Sequence, residues 1–578
     1  MKRVLLTLAF AAMAFAAYCA PRSLEAMKDA AKKVIKPSAE SVTRTGSVQL
    51  EVMKQGNQYT VLGYATGGFA VIANDDTFNA VLGYSDCSFS ANSISPAMNW
   101  WMDAIDQALG NMLEKGITAT TQASPGDMGY KTTVLPLVST QWDQSAPYNS
   151  MISSTFHQDY LTGCVATAMA QIMKTHNYPV QGRGIKAVTI NGNYYIADFE
   201  STTYQWDNML DVYSSGWGSA NPNYNAEQAA AVGELMLHCG VAADMDYGID
   251  ASGTHNYLAA AALSEYFRYS TKFFYRDVYT TEEWMNMVYS ELSAGRPLLY
   301  GGATTDGFGH SFVVDGYNAN GLVHVNWGWS GGGTAYCDIA ILNSGQGNFT
   351  EGQDMTFVRD AEQPQLPYSS QWGLAAVSTW STDGGRTWFD VEGAFTLTVS
   401  NSMLSFTTNN LINCGAETFT GQIALLAEPL ENGNVIVLQQ QSLMNVASNR
   451  YAASNGWEYS GSAFLNNLTD GTYRVYLASK ALSETDWQPV RSNETIVNNY
   501  ILTISNGTAT VNEGEPGWTT GIENVSADAA AGDGTVRVYT ADGVLVYTAP
   551  ADGFSMDDVP AKGLLIVKNG AKTVKVMK

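Results

Sequence analysis

Paired cysteines are missing from this sequence, and positive charge is scarce. Six cysteines stand at 19, 87, 164, 239, 337 and 414 of 578 residues, with no CxxC pair and no regular spacing. That pattern indicates neither a disulfide scaffold nor a zinc site, so no metal is expected and a thiol is left over for chemistry. Charged residues make up only 15% of the chain, and 30 Lys and Arg face 54 Asp and Glu, for a net charge of −24. A nucleic acid or an anionic membrane would need basic patches, so neither is expected as a partner. The acidic excess reads as a solvated surface that aids solubility. Past the N-terminus no run reaches ~18 consecutive apolar residues, which argues against a membrane span. No repeat of 20 to 50 residues is visible either.

What is present points to several globular units. The length exceeds what one hydrophobic core supports, so three or four domains are expected. Hydrophobic residues at 45%, 31 Tyr and 54 Gly with little charge suggest a β-rich, extracellular type of protein. Residues 1–20 read as a secretory signal: Met1-Lys2-Arg3, an apolar run from Val4 to Ala17, and small residues around Ala14 to Ala20. Tyr18 is a poor residue before a lipidated Cys19. From 21 to about 125, short strand-like runs such as Tyr59 to Tyr64 and Gly68 to Ala73 precede a helix opened by Ser95-Pro96, with Met98, Trp101, Met102, Ile105 and Leu109 on one face. Gly116 to Lys131 is an exposed linker in composition.

The texture then changes. Helices are expected from Cys164, over about Ala226 to Cys239 and over about Tyr257 to Tyr269, with strands after Pro297. Glu362-Gln363-Pro364-Gln365-Leu366-Pro367 breaks the pattern. Residues 368 to 505 alternate apolar and polar in short runs, as a β-sandwich would. A further linker, Asn512 to Gly534, leads into a compact all-β tail.

Thr162-Gly163-Cys164-Val165-Ala166-Thr167-Ala168-Met169 places Cys164 in the first turn of a helix whose period is set by Val165, Ala168, Met169 and Ile172. Unpaired N–H groups and the positive end of the helix dipole favour a thiolate there. A buried structural cysteine is the competing reading. A base must come from six histidines. His176 lies twelve residues further along the same helix, roughly 18 Å away at 1.5 Å per residue. His157 sits in a polar stretch, His238 on an apolar helix, and His255 in a Gly/Ser/Asn loop. His310 and His324 remain, each opening a strand, with a hairpin around Ala319-Asn320-Gly321 joining the two. The hairpin would bring Asn326 to His310, where an Asn carbonyl would hold the useful tautomer and Trp327 would shield the bond.

Taken together, Gln141 to Asn149, Thr162 to Lys174 with His176-Asn177-Tyr178-Pro179, Val241 to Gly248, Gly309 to Gly316 and His324 to Trp329 resemble the streptopain family of papain-like cysteine peptidases. The resemblance covers about residues 130 to 358. It implies an α+β papain-like fold, Cys164 as nucleophile, His310 rather than His324 as base, Asn326 as orienter with Trp327 beside it, and Gln144 as side-chain donor to the oxyanion hole. It also implies a zymogen that acts on protein or peptide substrates without a cofactor and carries its own propeptide as intramolecular inhibitor. The resulting boundaries are 1–20 signal, 21–128 propeptide, 129–360 peptidase domain, 361–510 β-sandwich and 511–578 terminal β-domain. Cys87 has no assigned role in that scheme.

The tail resembles a type IX secretion sorting domain in Val536 to Val546, Gly563 to Val567 and the spaced Lys568, Lys572, Lys575 and Lys578. That implies the type IX secretion machinery as a partner and the surface or surroundings of a Gram-negative bacterium as the location. Two other readings stay open: a Cys/His amidase or transglutaminase, and an adhesin with an inert peptidase domain.

Overall fold

The computed structural model describes residues 21–38, 49–90, 95–114, 124–214, 221–276, 279–303, 309–341 and 353–363, and most strand positions from 374 onward. The signal segment with Cys19, residues 115–123 and 364–367 of the expected linkers, residues 304–308 before His310, Cys414, and 519–534 lie outside the described residues.

The chain opens with helix α1 (Leu24–Val34), four strands β1 (Glu51–Gln55), β2 (Tyr59–Gly63), β3 (Phe69–Ala73) and β4 (Val81–Ser85), and the long helix α2 (Pro96–Glu114). The Ser95 side chain accepts from Met98 N–H at 3.1 Å, so α2 starts where its Ser-Pro pair predicts. Next come α3 (Ser150–Phe156), α4 (Cys164–His176), the hairpin β5 (Ile185–Ile190) and β6 (Asn193–Asp198), α5 (Ala226–Ala242) and α6 (Asn256–Glu265). Strand β7 (Ser270–Tyr275), helix α7 (Thr281–Ser293) and strands β8 (Leu298–Ala303), β9 (Gly309–Tyr317), β10 (Val323–Asn326), β11 (Ala335–Cys337) and β12 (Asp354–Arg359) follow. Two of these helices carry full capping boxes, Asn225 with Gln228 at α5 and Thr280 with Glu283 at α7. Helices α1, α3 and α7 lie outside the helices expected from the sequence, although α7 carries the Thr280/Glu283 signal.

One antiparallel sheet runs β1-β2-β3-β4-β11-β10-β9-β8-β12-β7. The N-terminal unit therefore joins its four strands to the next unit's edge, with Tyr84 opposite Tyr336 and Gly83 opposite Cys337. Ser85 Oγ donates to Thr334 O at 2.6 Å, and Trp101 Nε1 donates to Asp338 O at 3.2 Å. A single apolar core spans both sides of this junction, combining Phe69, Val71, Trp100 and Trp101 with Tyr300, Phe312, Val314 and Trp327. A second core is helical and holds Val165, Met169, Ile172, Leu235, Met236 and Leu263 together with Leu299 and Val313 from the sheet. The expected α+β class is what forms.

After residue 374 the described elements are all β. Strands within 395–464 form a three-stranded sheet, and strands within 419–513 a six-stranded one. Leu397, Leu404 and Phe406 of the first meet Ile423, Leu425, Val475 and Leu502 of the second, which makes a sandwich. Arg491 of this region pairs with Glu283 of α7 at 2.5 Å and lies over the Tyr279 ring. Four strands between Thr535 and Met577 make a separate antiparallel sheet.

The helical core has a pH-sensitive point. His238 is 2% exposed, with Tyr204 Oη 2.9 Å from Nδ1 and Tyr195 Oη 3.0 Å from Nε2. Burial pushes its pKa down to about 4, against a slight lift from Asp198. The unfolded chain binds this proton near pH 6.5, so His238 favours the fold above that pH, and the contribution is lost as pH falls towards about 4. Denaturant melts across this window should show stability falling with acid, and His238→Asn should flatten that limb. An equal slope in the variant would refute the assignment.

Candidate active site

Cys164 is the first residue of α4, and the backbone preceding it is set by Gly163, which caps the helix at φ +85°. A Cβ at Gly163 would lie 2.6 Å from Met245 Sδ, so only glycine fits both the conformation and the space. Thr167 Oγ1 donates back to Gly163 O at 3.0 Å and lies 2.9 Å from Thr162 Oγ1, tying the turn down. Helix α4 packs its apolar face into the helical core while Cys164 stays partly exposed at its N-terminal end.

Two cores meet at Cys164. From the sheet side, His310 stands near the start of β9, and hydrogen bonding from its ring and from the backbone N–H groups of Ser311 and Val165 contributes to the state of the thiol. Burial alone raises the thiol's pKa. The charge of His310 and these hydrogen bonds outweigh it and hold Cys164 below the ordinary thiol range. Of the other described cysteines, burial drives Cys239 and Cys337 upward, which makes them inert.

His310 Nε2 lies 2.9 Å from Trp327 O. A carbonyl can only accept, so Nε2 carries the proton and Nδ1 is the nitrogen available to the thiol. Asn326, expected to make this orienting bond, does not reach the ring. Its Nδ2 donates to Thr140 O at 2.7 Å, and its Oδ1 accepts from Gly328 N–H at 3.1 Å. The cause lies in the hairpin register: Asn326 stands opposite Val313, three residues along from His310. Asn326 thus braces the turn that presents the Trp327 carbonyl. The Trp327 indole is buried, donates to Gly333 O at 2.8 Å, and packs on Phe312, 4.8 Å between centroids.

Gln144 is 7% exposed, and its main-chain carbonyl accepts from Thr162 N–H at 3.0 Å, which ties it to the segment leading into Cys164. Asp143 fixes this turn, accepting from Gln144 N–H at 2.6 Å and from Ser330 Oγ at 2.6 Å.

The remaining histidines are occupied elsewhere. A bulge in the β9–β10 ladder leaves Asp315 out of the pairing, and its carboxylate sits 2.5 Å from His324 Nδ1. His324 is therefore committed to Asp315. His157 ends α3 in the left-handed conformation and is exposed, His176 faces Tyr269, and His255 stacks on Tyr257. Among the described residues no cluster of His, Cys, Asp or Glu is arranged to hold a metal ion, and no helix is long and apolar enough to cross a membrane.

The N-terminal unit reaches this site. Trp100 of α2 is buried 6.3 Å from the Phe312 ring, which in turn lies 6.2 Å from His310. Trp101 was expected on the apolar face of α2, but Trp100 and Ser311 carry no signal of their own in the sequence, although Ser311 lies within the Gly309 to Gly316 run.

Residues 142–337 match the Peptidase C10 family, and residues 22–109 match the Spi protease inhibitor family. The chain is similar to streptopain of Streptococcus pyogenes, 31% identical over 339 residues that span 55% of this chain and 82% of that protein. It is similar to the thiol protease/hemagglutinin PrtT of Porphyromonas gingivalis, 29% identical over 299 residues, or 48% of this chain and 33% of that one. A solved prointerpain A fragment of Prevotella intermedia is 42% identical, covering 54% of this chain and 98% of the fragment, with a TM-score of 0.48.

The lowered thiol is open to direct measurement. Alkylation of Cys164 by iodoacetamide should show a midpoint below the ~8.5 of a free cysteine. In His310→Ala the midpoint should rise, because the burial penalty stays while the opposing charge is gone. A midpoint unmoved by His310→Ala would show that the histidine does not set the thiolate.

Proposed function

The chain belongs to the Peptidase C10 family and is a cysteine peptidase, and on that premise we propose that it is an exported endopeptidase made as a zymogen, with Cys164 as nucleophile and His310 as general base. The observation that carries the proposal is the meeting of a helix-start thiol with an imidazole whose Nε2–H is held by Trp327 O.

In the proposed reaction the Cys164 thiolate attacks a peptide carbonyl and forms the C–S bond, and the carbonyl electrons move onto oxygen. The Cys164 N–H and the Gln144 side-chain amide receive that oxyanion, a role commonly worth a few kcal/mol of barrier. The oxyanion collapses, the C–N bond breaks, and His310 gives its proton to the leaving amine. Water then attacks the thioester carbonyl with His310 taking its proton, the C–S bond breaks to release the carboxylic acid, and Cys164 leaves as the thiolate beside the protonated imidazole, as at the start. Asn326 acts one step away, by holding the turn that carries Trp327 O.

Latency is part of the proposal. The 21–128 segment serves as the inhibitory propeptide, supported by its match to the Spi protease inhibitor family and by strand pairing and a shared core across the junction. Export rests on the basic and apolar N-terminus. Residues 511–578 are proposed as the sorting domain for the type IX secretion machinery of a Gram-negative bacterium, on their resemblance to such domains and their compact β-sheet. No role in the chemistry is proposed for the 361–510 sandwich.

A peptidyl epoxide directed at thiols should label Cys164 and block casein cleavage, and Cys164→Ala should abolish cleavage. Proteolysis that survives in Cys164→Ala would defeat the nucleophile assignment.

Trp100→Ala should let the unprocessed chain acquire activity sooner. The processed enzyme no longer contains residue 100, so its kcat/KM should equal the parent's. Unchanged lag in Trp100→Ala would remove Trp100 from the inhibitory contact.

A further inference from the structure

Beneath the His310 end of β9 three buried polar side chains from three different elements join across the sheet. Ser311 Oγ donates to Asn256 Oδ1, and Asn256 Nδ2 donates to Asp354 Oδ1 at 2.6 Å. Asn256 is the first residue of α6, Asp354 the first of β12, and Ser311 the third of β9. Their exposures are 6%, 7% and 4%.

The strand between them makes room for the link. Gly301 of β8 stands opposite Ser311 on one side and Asp354 on the other. A Cβ there would lie 2.3 Å from Asn256 Nδ2 and 3.1 Å from Asp354 Oδ1. The missing side chain lets the amide of α6 cross from one neighbouring strand to the other. Buried polar groups of this kind cost free energy unless their partners are well placed, and apolar side chains would pack the same space without that cost. What distinguishes this position is its neighbour: Ser311 directly follows His310 on β9, and its backbone N–H is among the groups that hold the Cys164 thiol low.

We propose that Asp354, Asn256 and Ser311 form a positioning relay that fixes the start of β9 against α6 and β12, and so sets the Ser311 N–H and the His310 ring on Cys164. The relay touches neither substrate nor the reacting carbonyl. It acts through the backbone of residues 310 and 311, and it rests on the Cys164/His310 reading above. The carboxylate end anchors the Asn256 amide in one orientation, Nδ2 towards Asp354. That leaves Oδ1 as the acceptor for the Ser311 hydroxyl.

The test uses the full chain, processed to its active form, with Ser311→Ala and Asp354→Asn. Ser311→Ala keeps the backbone N–H and removes only the hydroxyl. Active sites are titrated with a thiol-directed epoxide so that rates are compared per competent site. In both variants kcat per titrated site should fall about tenfold while KM stays within about twofold. The midpoint of Cys164 alkylation should move to higher pH, as a purely structural loss would not make it do. Should Asp354→Asn fail to fold, Ser311→Ala alone decides. Parental kcat and an unmoved alkylation midpoint per titrated site, with Cys164→Ala inactive, would overturn the relay and leave the catalytic pair standing. A Cys164→Ala protein that still cleaves would overturn the pair and the relay together.

Discussion

Strand β9 belongs to two cores at once, and the site exists because of that. Its alternation sends Val313, with Leu299 from β8, into the helical core, while Phe312 and Val314 enter the core shared by the sheet and the N-terminal unit. Helix α4 packs on this strand from the helical side. The first turn of α4 and the first residues of β9 are thereby brought edge to edge, Cys164 from one layer and His310 from the other. A one-residue slip of β9 would exchange its two faces and move both apolar sets into the wrong core, so the register is strongly held. The placement of Cys164 against His310 inherits that rigidity.

The same strand carries the contact between the first hundred residues and the site. Their sheet pairs with β11 at one end, and Trp100 enters the Phe312 and Trp327 cluster at the other. Removing the unit would uncover a strand edge and a large apolar surface. The contact is therefore better suited to a single release by cleavage than to repeated opening. Charge plays a small part in this junction: its described contacts are backbone pairing, ring stacking of Tyr84 on Tyr336, buried indoles and neutral hydrogen bonds such as Ser85 Oγ to Thr334 O.

Much of the local structure could be read from composition and period. Ser95-Pro96 announced α2, Gly163-Cys164 announced α4, and helices near 226 and 257 began within a residue of their expected starts. Helices α1, α3 and α7 were missed. Helix α3 is only seven residues long, and α7 hides its Thr280/Glu283 box within an aromatic-rich run that reads equally as strand. The hairpin joining β9 and β10 was expected, but its bulge at Asp315 was not. That bulge gives His324 a carboxylate partner, and the ladder leaves Asn326 opposite Val313.

Sequence by itself determined the elements and the chemistry they can carry: a thiol in the first turn of a helix, two candidate histidines on facing strands, an N-terminal unit before a linker, and β-structure to the end. These follow from short-range rules of capping, period and turn chemistry, which act over a few residues. Only the tertiary structure decided which groups share the thiol. That His310 is held by a main-chain carbonyl of Trp327, that His310 and Ser311 act together on the Cys164 thiol, and that Asn256 bridges to Asp354 across a glycine all depend on sheet register and on close approach between elements up to 147 residues apart (Cys164 and Ser311). No local period encodes such distances, because they are set when two cores close on one strand.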